Sequence, residues 1–239
     1  MQNQTVTRLI DAHSRQIRDL RISITDRCNF RCLYCLPETE EAANFYKRTS
    51  SGAPKPIQHK WKPRSHFLTY EEITRAVRLA SEIGVNKIRL TGGEPLLRRD
   101  VPRLVESIAT LPGIEDLALT TNGFLFAKHA RALRDAGLRR VTFSLDSLEV
   151  GNFKKMTGRD GLEELLGAID LAQQLGMNPV KVNAVVIRGL NDHEVPAMAE
   201  FARERGLVMR FIEFMPLDSG RAWQADHVVP GREILKQLQ

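Results

Sequence analysis

Cysteine is scarce in this chain: there are three among 239 residues, all between positions 28 and 35. That excludes a disulfide-stapled scaffold, because any intrachain pair would leave one thiol over and most of the chain unbridged. No apolar run approaches the ~20 residues that cross a bilayer, and residues 1–20 lack the apolar core of a secretion signal. The expectation is a cytoplasmic protein with no membrane partner. Aromatics are only 6%, and Gly (16) plus Pro (11) is too little for a collagen-like or low-complexity chain. Acidic residues fall short of basic ones, 29 against 35, which leaves a net charge of +6. Half of that surplus is local: residues 37–66 hold Lys47, Arg48, Lys55, Lys60, Lys62 and Arg64 against Glu38, Glu40 and Glu41. With four prolines and a Ser50-Ser51-Gly52 run, this stretch reads as a flexible basic insertion in a single domain spanning 1–239. The nearby aromatics Phe45, Tyr46 and Trp61 are too few to interleave with the charges, so an anionic small molecule is expected rather than nucleic acid.

After the insertion, β-branched runs alternate with amphipathic segments of 3.6 periodicity. Strands are predicted at 21–25, 87–91, 117–121, 140–146, 180–187 and 208–215, and helices at 70–83, 101–110, 127–136, 161–175, 193–205 and from about 231. Thr69 with Glu72 makes a capping-box pattern, and Gly84, Gly137, Gly176 and Gly206 stand where helices should stop. Strict alternation implies parallel strands joined by right-handed crossovers. The fold class is α/β, either an open doubly wound sheet or an incomplete (β/α)6 TIM-like barrel with outer helices.

Alternate strand positions share one face. One face reads Arg21/Ser23/Thr25, Lys87/Arg89/Thr91, Ala118/Thr120/Asn122, Thr142/Ser144/Asp146 and Lys181/Asn183/Val185, while the opposite faces are apolar. The sixth strand is mixed, with Met209, Phe211, Glu213 and Met215 sharing a face. An ordinary barrel fills its interior with bulky apolar layers. A polar interior favours a curved sheet around a large polar ligand. Arg21, Arg89 and Lys181 point into it and call for anionic partners. Asp146 and Glu213 are internal candidates, and a bound polyphosphate is the alternative.

The three cysteines form Cys28-Asn29-Phe30-Arg31-Cys32-Leu33-Tyr34-Cys35. Structural zinc wants four ligands, usually in two pairs. Three close thiols without a fourth donor suit an iron–sulfur cluster with one open coordination position. This Cys-x3-Cys-x2-Cys spacing after a first strand resembles the radical S-adenosylmethionine (SAM) superfamily, and Thr91-Gly92-Gly93-Glu94-Pro95 resembles its Gly-Gly-Glu-Pro motif. Further segments, including Asp19-Leu20-Arg21-Ile22-Ser23, Thr120-Thr121-Asn122-Gly123, Ser144-Leu145-Asp146, Lys181-Val182-Asn183 and Arg210-Phe211-Ile212-Glu213-Phe214-Met215, are similar to the GTP 3′,8-cyclase family of molybdenum-cofactor (molybdopterin) biosynthesis.

That resemblance implies a lyase in which Cys28, Cys32 and Cys35 hold a [4Fe–4S] cluster. It implies SAM contacts at Tyr34, Gly93, Ser144 and Met215, and GTP contacts at Arg21, Arg89, Thr120 and Lys181. Beyond the cluster it implies no separate catalytic side chain. By the same resemblance, a 5′-deoxyadenosyl radical takes hydrogen from C3′ of GTP, which closes onto C8 to give (8S)-3′,8-cyclo-7,8-dihydroguanosine 5′-triphosphate. A reducing electron-donor protein is an implied partner, and a homodimer is compatible with the sequence. Family members carry a second cluster in a C-terminal extension whose cysteines have no counterpart here. The chain therefore reads as a C-terminally truncated form, or as a homologue that binds SAM and GTP, or takes another anionic substrate, without completing cyclisation.

Overall fold

A computed structural model describes residues 9–47, 59–217 and 223–239. Six parallel strands form one sheet in sequential order: β1 (Asp19–Ser23), β2 (Lys87–Thr91), β3 (Asp116–Thr121), β4 (Arg140–Ser144), β5 (Lys181–Val186) and β6 (Val208–Glu213). β1 and β6 are its two edges. Around it lie α1 (Glu40–Lys47), α2 (Tyr70–Glu82), α3 (Val101–Ala109), α4 (Phe126–Asp135), α5 (Val150–Thr157), α6 (Leu162–Gln174), α7 (Val195–Glu204) and α8 (Gly231–Gln237). This is the incomplete (β/α)6 barrel.

The apolar strand faces carry the core. Ile88 and Leu90 of β2, Leu119 of β3, Phe143 of β4 and Val182 of β5 pack in one cluster with Val77, Leu104, Leu133 and Ile169 from α2, α3, α4 and α6. All nine are no more than 2% exposed, and burying each contributes roughly 1.5–3 kcal/mol. At α2 the capping box forms as expected: Glu72 N–H donates to Thr69 Oγ1 at 3.2 Å, and Thr69 N–H donates to Glu72 Oε2 at 2.7 Å. The four predicted stop glycines all adopt positive φ.

Three expectations are corrected. β1 begins and ends two residues earlier than 21–25, because pairing with β2 runs from Asp19↔Lys87 to Ser23↔Thr91 before the chain turns away. Within the expected flexible insertion 37–66, residues 40–47 form α1, whose Ala42 and Tyr46 are buried. Its Ala42/Phe45/Tyr46 spacing is a helical stripe hidden among charges. Residues 48–58 of the insertion lie outside the described residues. Finally, α5 intervenes between β4 and the expected helix α6. Its eight residues include Gly151 and two adjacent lysines, which blur any periodic signal.

Candidate active site

The cysteine loop leaves the C-terminal end of β1 and is held from beneath by both unforeseen helices. Arg31 N–H donates to the Thr157 carbonyl at 2.8 Å, and Leu33 N–H to that of Met156 at 2.9 Å, both at the end of α5. Tyr46 of α1 donates its hydroxyl to the Leu33 carbonyl at 3.0 Å. Phe30 and Leu33 are buried, so the loop is anchored by apolar side chains while its cysteines stay outside. Cys28 and Cys32 are half-buried and Cys35 is exposed.

The Gly-Gly-Glu-Pro turn after β2 locks onto this loop. Gly93 N–H donates to the Thr25 carbonyl at 2.8 Å, and Glu94 N–H to the Arg27 carbonyl at 2.7 Å. A Cβ on Gly93 would lie 2.4 Å from the Arg27 carbonyl oxygen, and one on Gly92 would lie 2.6 Å from that of Thr25. The absence of a Cβ at both glycines lets the turn press against the cysteine loop's own backbone. Glu94, wholly buried, accepts from Leu96 N–H (3.0 Å), Thr121 Oγ1 (2.8 Å) and Asn122 N–H (2.8 Å), tying the turn to the end of β3.

From the other side, Tyr34 donates its hydroxyl to Asp146 Oδ2 at 2.7 Å, and Val185 N–H donates to Asp146 Oδ1 at 2.9 Å. Burial pushes the Asp146 carboxyl up to about 6. Asp146 is therefore committed to the cysteine loop and is no counter-ion for the chamber cations. Glu213 likewise accepts from the Gly231 N–H, away from them.

The sheet's polar face is graded along the strands. One row aligns Arg21, Arg89, Ala118 and Arg140 across β1 to β4; another aligns Thr120, Thr142 and Lys181; Ser144, Asn183 and Arg210 align nearest the strand tips. Register thus turns Val208, Arg210 and Ile212 of β6 inward, opposite to Met209, Phe211 and Glu213. Arg89 donates to Thr142 Oγ1 at 3.0 Å and to Thr120 Oγ1 at 3.3 Å. Burial lowers its pKa, and Arg140, Arg210 and Arg21 lower it further. Lys181 is lowered by burial, then by Arg210, Arg140 and Arg89. Among the described residues only Arg140 of this group has an ion-pair partner, Asp116. Arg140 and Arg210 were not singled out from sequence: continued alternation from Thr142 points to Arg140, whereas Arg210 is placed only by the β5–β6 register. The Asn183 side-chain carbonyl, beside Ser144, is buried without a hydrogen-bond partner. Met215 is exposed just beyond β6, its chain fixed by the buried Phe214 packing with Leu33.

The sequence signature of the Radical SAM superfamily matches residues 22–202. The chain belongs to that superfamily. It is 50% identical over 229 residues to the GTP 3′,8-cyclase of Acidothermus cellulolyticus, covering 95% of this chain and 59% of that protein. It is 48% identical over 231 residues to the GTP 3′,8-cyclase of Syntrophomonas wolfei, covering 97% of this chain and 65% of that protein. The chain thus spans about three-fifths of the length of these curated relatives. Among solved structures, Streptococcus suis SuiB bound to S-adenosylmethionine superposes with a TM-score of 0.66 at 16% identity, covering 86% of this chain and 43% of that one.

Radical SAM membership implies a [4Fe–4S] cluster and SAM, and the thiols fit such a group. Burial raises the Cys28 thiol, and Glu94 and Cys35 add to it. Burial raises Cys32 well above its ordinary range, with Asp146, Cys28 and Cys35 pushing the same way. Three mutually repelling thiolates at one loop need a cation to coexist. Their sulfurs do not all lie within 4.8 Å of one another. No described helix is long and apolar enough to cross a membrane.

Proposed function

We propose that this chain is the core of a GTP 3′,8-cyclase, converting GTP to (8S)-3′,8-cyclo-7,8-dihydroguanosine 5′-triphosphate as the first step of molybdenum-cofactor biosynthesis. The observation that carries this reading is the row of cations on the sheet's inner face. Among the described residues Arg21, Arg89, Lys181 and Arg210 form no ion pair, and the mutual repulsion that lowers Arg89 and Lys181 is relieved by an anion of several charges such as a triphosphate. The similarity to GTP 3′,8-cyclases supports the same substrate.

When bound, the cluster and SAM supply the one-electron chemistry that removes a hydrogen atom from an unactivated C–H bond. The chain's own residues do the holding. Cys28, Cys32 and Cys35 bind the cluster; Tyr34, Gly93, Ser144 and Met215 line the place for SAM at the strand tips. Arg21, Arg89, Thr120 and Lys181, lower on the strands, grip GTP with its ribose turned toward the tips. The partnerless Asn183 carbonyl accepts a hydroxyl or N–H from one of the two ligands. Clamping both ligands at once matters because the reacting C–H bond must be held at near-attack distance.

Isothermal titration of GTP against the anaerobically reconstituted protein tests the clamp. Arg89→Ala and Lys181→Ala should each weaken binding by at least about tenfold, since each removes a charged partner of phosphate. Unchanged affinity in both would defeat the assignment of GTP. Cys32→Ser should lose most of the iron, and full retention would defeat the cluster assignment.

A further inference from the structure

The chemistry proposed above consumes an electron that must enter from outside. Beside the cysteine loop, and lined by none of the chamber cations Arg21, Arg89, Lys181 and Arg210, lies an open cleft of 1530 Å³. Its floor is Ile24, Thr25 and Arg27, the residues leading into Cys28, together with Leu97–Arg99 after the Gly-Gly-Glu-Pro turn. α2, α3 and the segment around Arg64 form its walls. Eight lysines and arginines line it against three acids, Glu71, Glu72 and Asp100. None of the eight has an ion-pair partner among the described residues.

These cations divide into two sorts. Arg98 donates to the Ile24 carbonyl at 2.9 Å and the Leu68 carbonyl at 2.6 Å, and stacks 4.4 Å over the Tyr70 ring, so it stiffens the wall. Arg27, Arg75 and Arg103 are exposed. Leu97, 41% exposed, offers an apolar contact among them. Small-molecule sites are mostly apolar cavities of roughly 300–1,000 Å³. A wider, open cleft rimmed by unpaired cations around one leucine suits a transient protein surface instead. Of the two rings that line it, Tyr70 already lies under Arg98, and Phe67 alone makes no series of platforms on which successive nucleic-acid bases could stack.

We propose that this cleft docks an acidic electron-carrier protein. The idea rests on the cluster reading above: the carrier is oxidised by one electron, the cluster is reduced by one, and no covalent bond forms or breaks. Docking here sets the carrier against Arg27, adjacent in sequence to the ligand Cys28, while the chamber stays free for substrate. Opposite charge steers the encounter and makes it salt-sensitive.

The test uses an acidic flavodoxin as the probe carrier and the full chain with and without its cluster. Fluorescence anisotropy of labelled, oxidised flavodoxin should give an affinity that the double variant Arg75→Glu/Arg103→Glu weakens by at least about tenfold, since like charges then face each other. The milder pair Arg75→Gln/Arg103→Gln should fall in between, and wild-type affinity should drop on going from about 50 to about 300 mM salt. Reduced flavodoxin should reduce the variant's cluster correspondingly more slowly, while dithionite, which needs no dock, should act at the wild-type rate. A reducible cluster with unaltered flavodoxin affinity and rate in the variant overturns the dock alone. Failure of the wild-type chain to hold any cluster overturns the cluster reading and the electron-transfer role with it. Salt-sensitive binding of a single-stranded oligonucleotide, lost in the variant while flavodoxin reduction is unaffected, overturns the proposal in favour of nucleic acid.

Discussion

Because Gly93 faces two backbone carbonyls rather than side chains that could swing aside, a methyl there has nowhere to go. Gly93→Ala should cost about 2–4 kcal/mol in denaturant unfolding, a size typical of enforced backbone displacement, and should lower iron uptake because the turn is bonded to the cysteine loop. Asp146 makes a second prediction, for the cluster-free protein. Its folded pKa of about 6 lies above the ordinary 3.8, so the native state holds the proton more tightly than the unfolded chain. This group's contribution is therefore most favourable below about pH 4 and declines as pH rises toward 6. In Asp146→Asn the carboxamide can still accept from Val185 N–H and donate to the Tyr34 oxygen, so the packing is kept. Stability of the variant relative to wild type should rise between pH 4 and 7, by up to about 3 kcal/mol from the shift. A constant difference across that range would show that Asp146 is ionised at no cost.

The element that most affects the site is a short one. α5 ends at Gly158, which has φ +69 and stands where a Cβ would come 2.8 Å from Thr39 Cγ2 and 3.0 Å from Arg31 Cβ. Gly158→Ala combines a left-handed alanine, about 1 kcal/mol, with contact against the loop that α5 supports. Unfolding free energy should fall by about 1–2 kcal/mol, and iron content after reconstitution should fall as well, whereas an α5 that only filled space would leave iron uptake alone. The long helices were readable from caps, stop glycines and apolar stripes, because each buries a broad face against the sheet. α1 and α5 were not readable, because each buries only two or three side chains and takes its position from hydrogen bonds to the cysteine loop. Sequence periodicity registers the first kind of stabilisation and misses the second.

For the molecule as a whole, the inner face stores repulsion among cations that the core must hold together. Inorganic tripolyphosphate, which carries the charge of a triphosphate without base or sugar, should raise the thermal midpoint of wild type by several degrees when well above its dissociation constant. It should raise that of Arg89→Ala/Lys181→Ala less. The same double variant should be at least as stable as wild type without ligand, since it removes like charges. Equal ligand-induced shifts in the two proteins would place the polyphosphate elsewhere.

Alternation along each strand sufficed to send Arg21, Arg89, Thr120 and Lys181 to one face, because a strand's period of two needs no partner to be read. Three cysteines in eight residues likewise mark a candidate cluster site from local spacing alone. Chain order alone could not say that Asp146 would bind Tyr34 across 112 positions, that Arg140 would pair with Asp116, or that Arg210 would join the chamber. Those outcomes depend on strand register and on which buried group reaches a partner first, and both are properties of neighbours in space rather than along the chain.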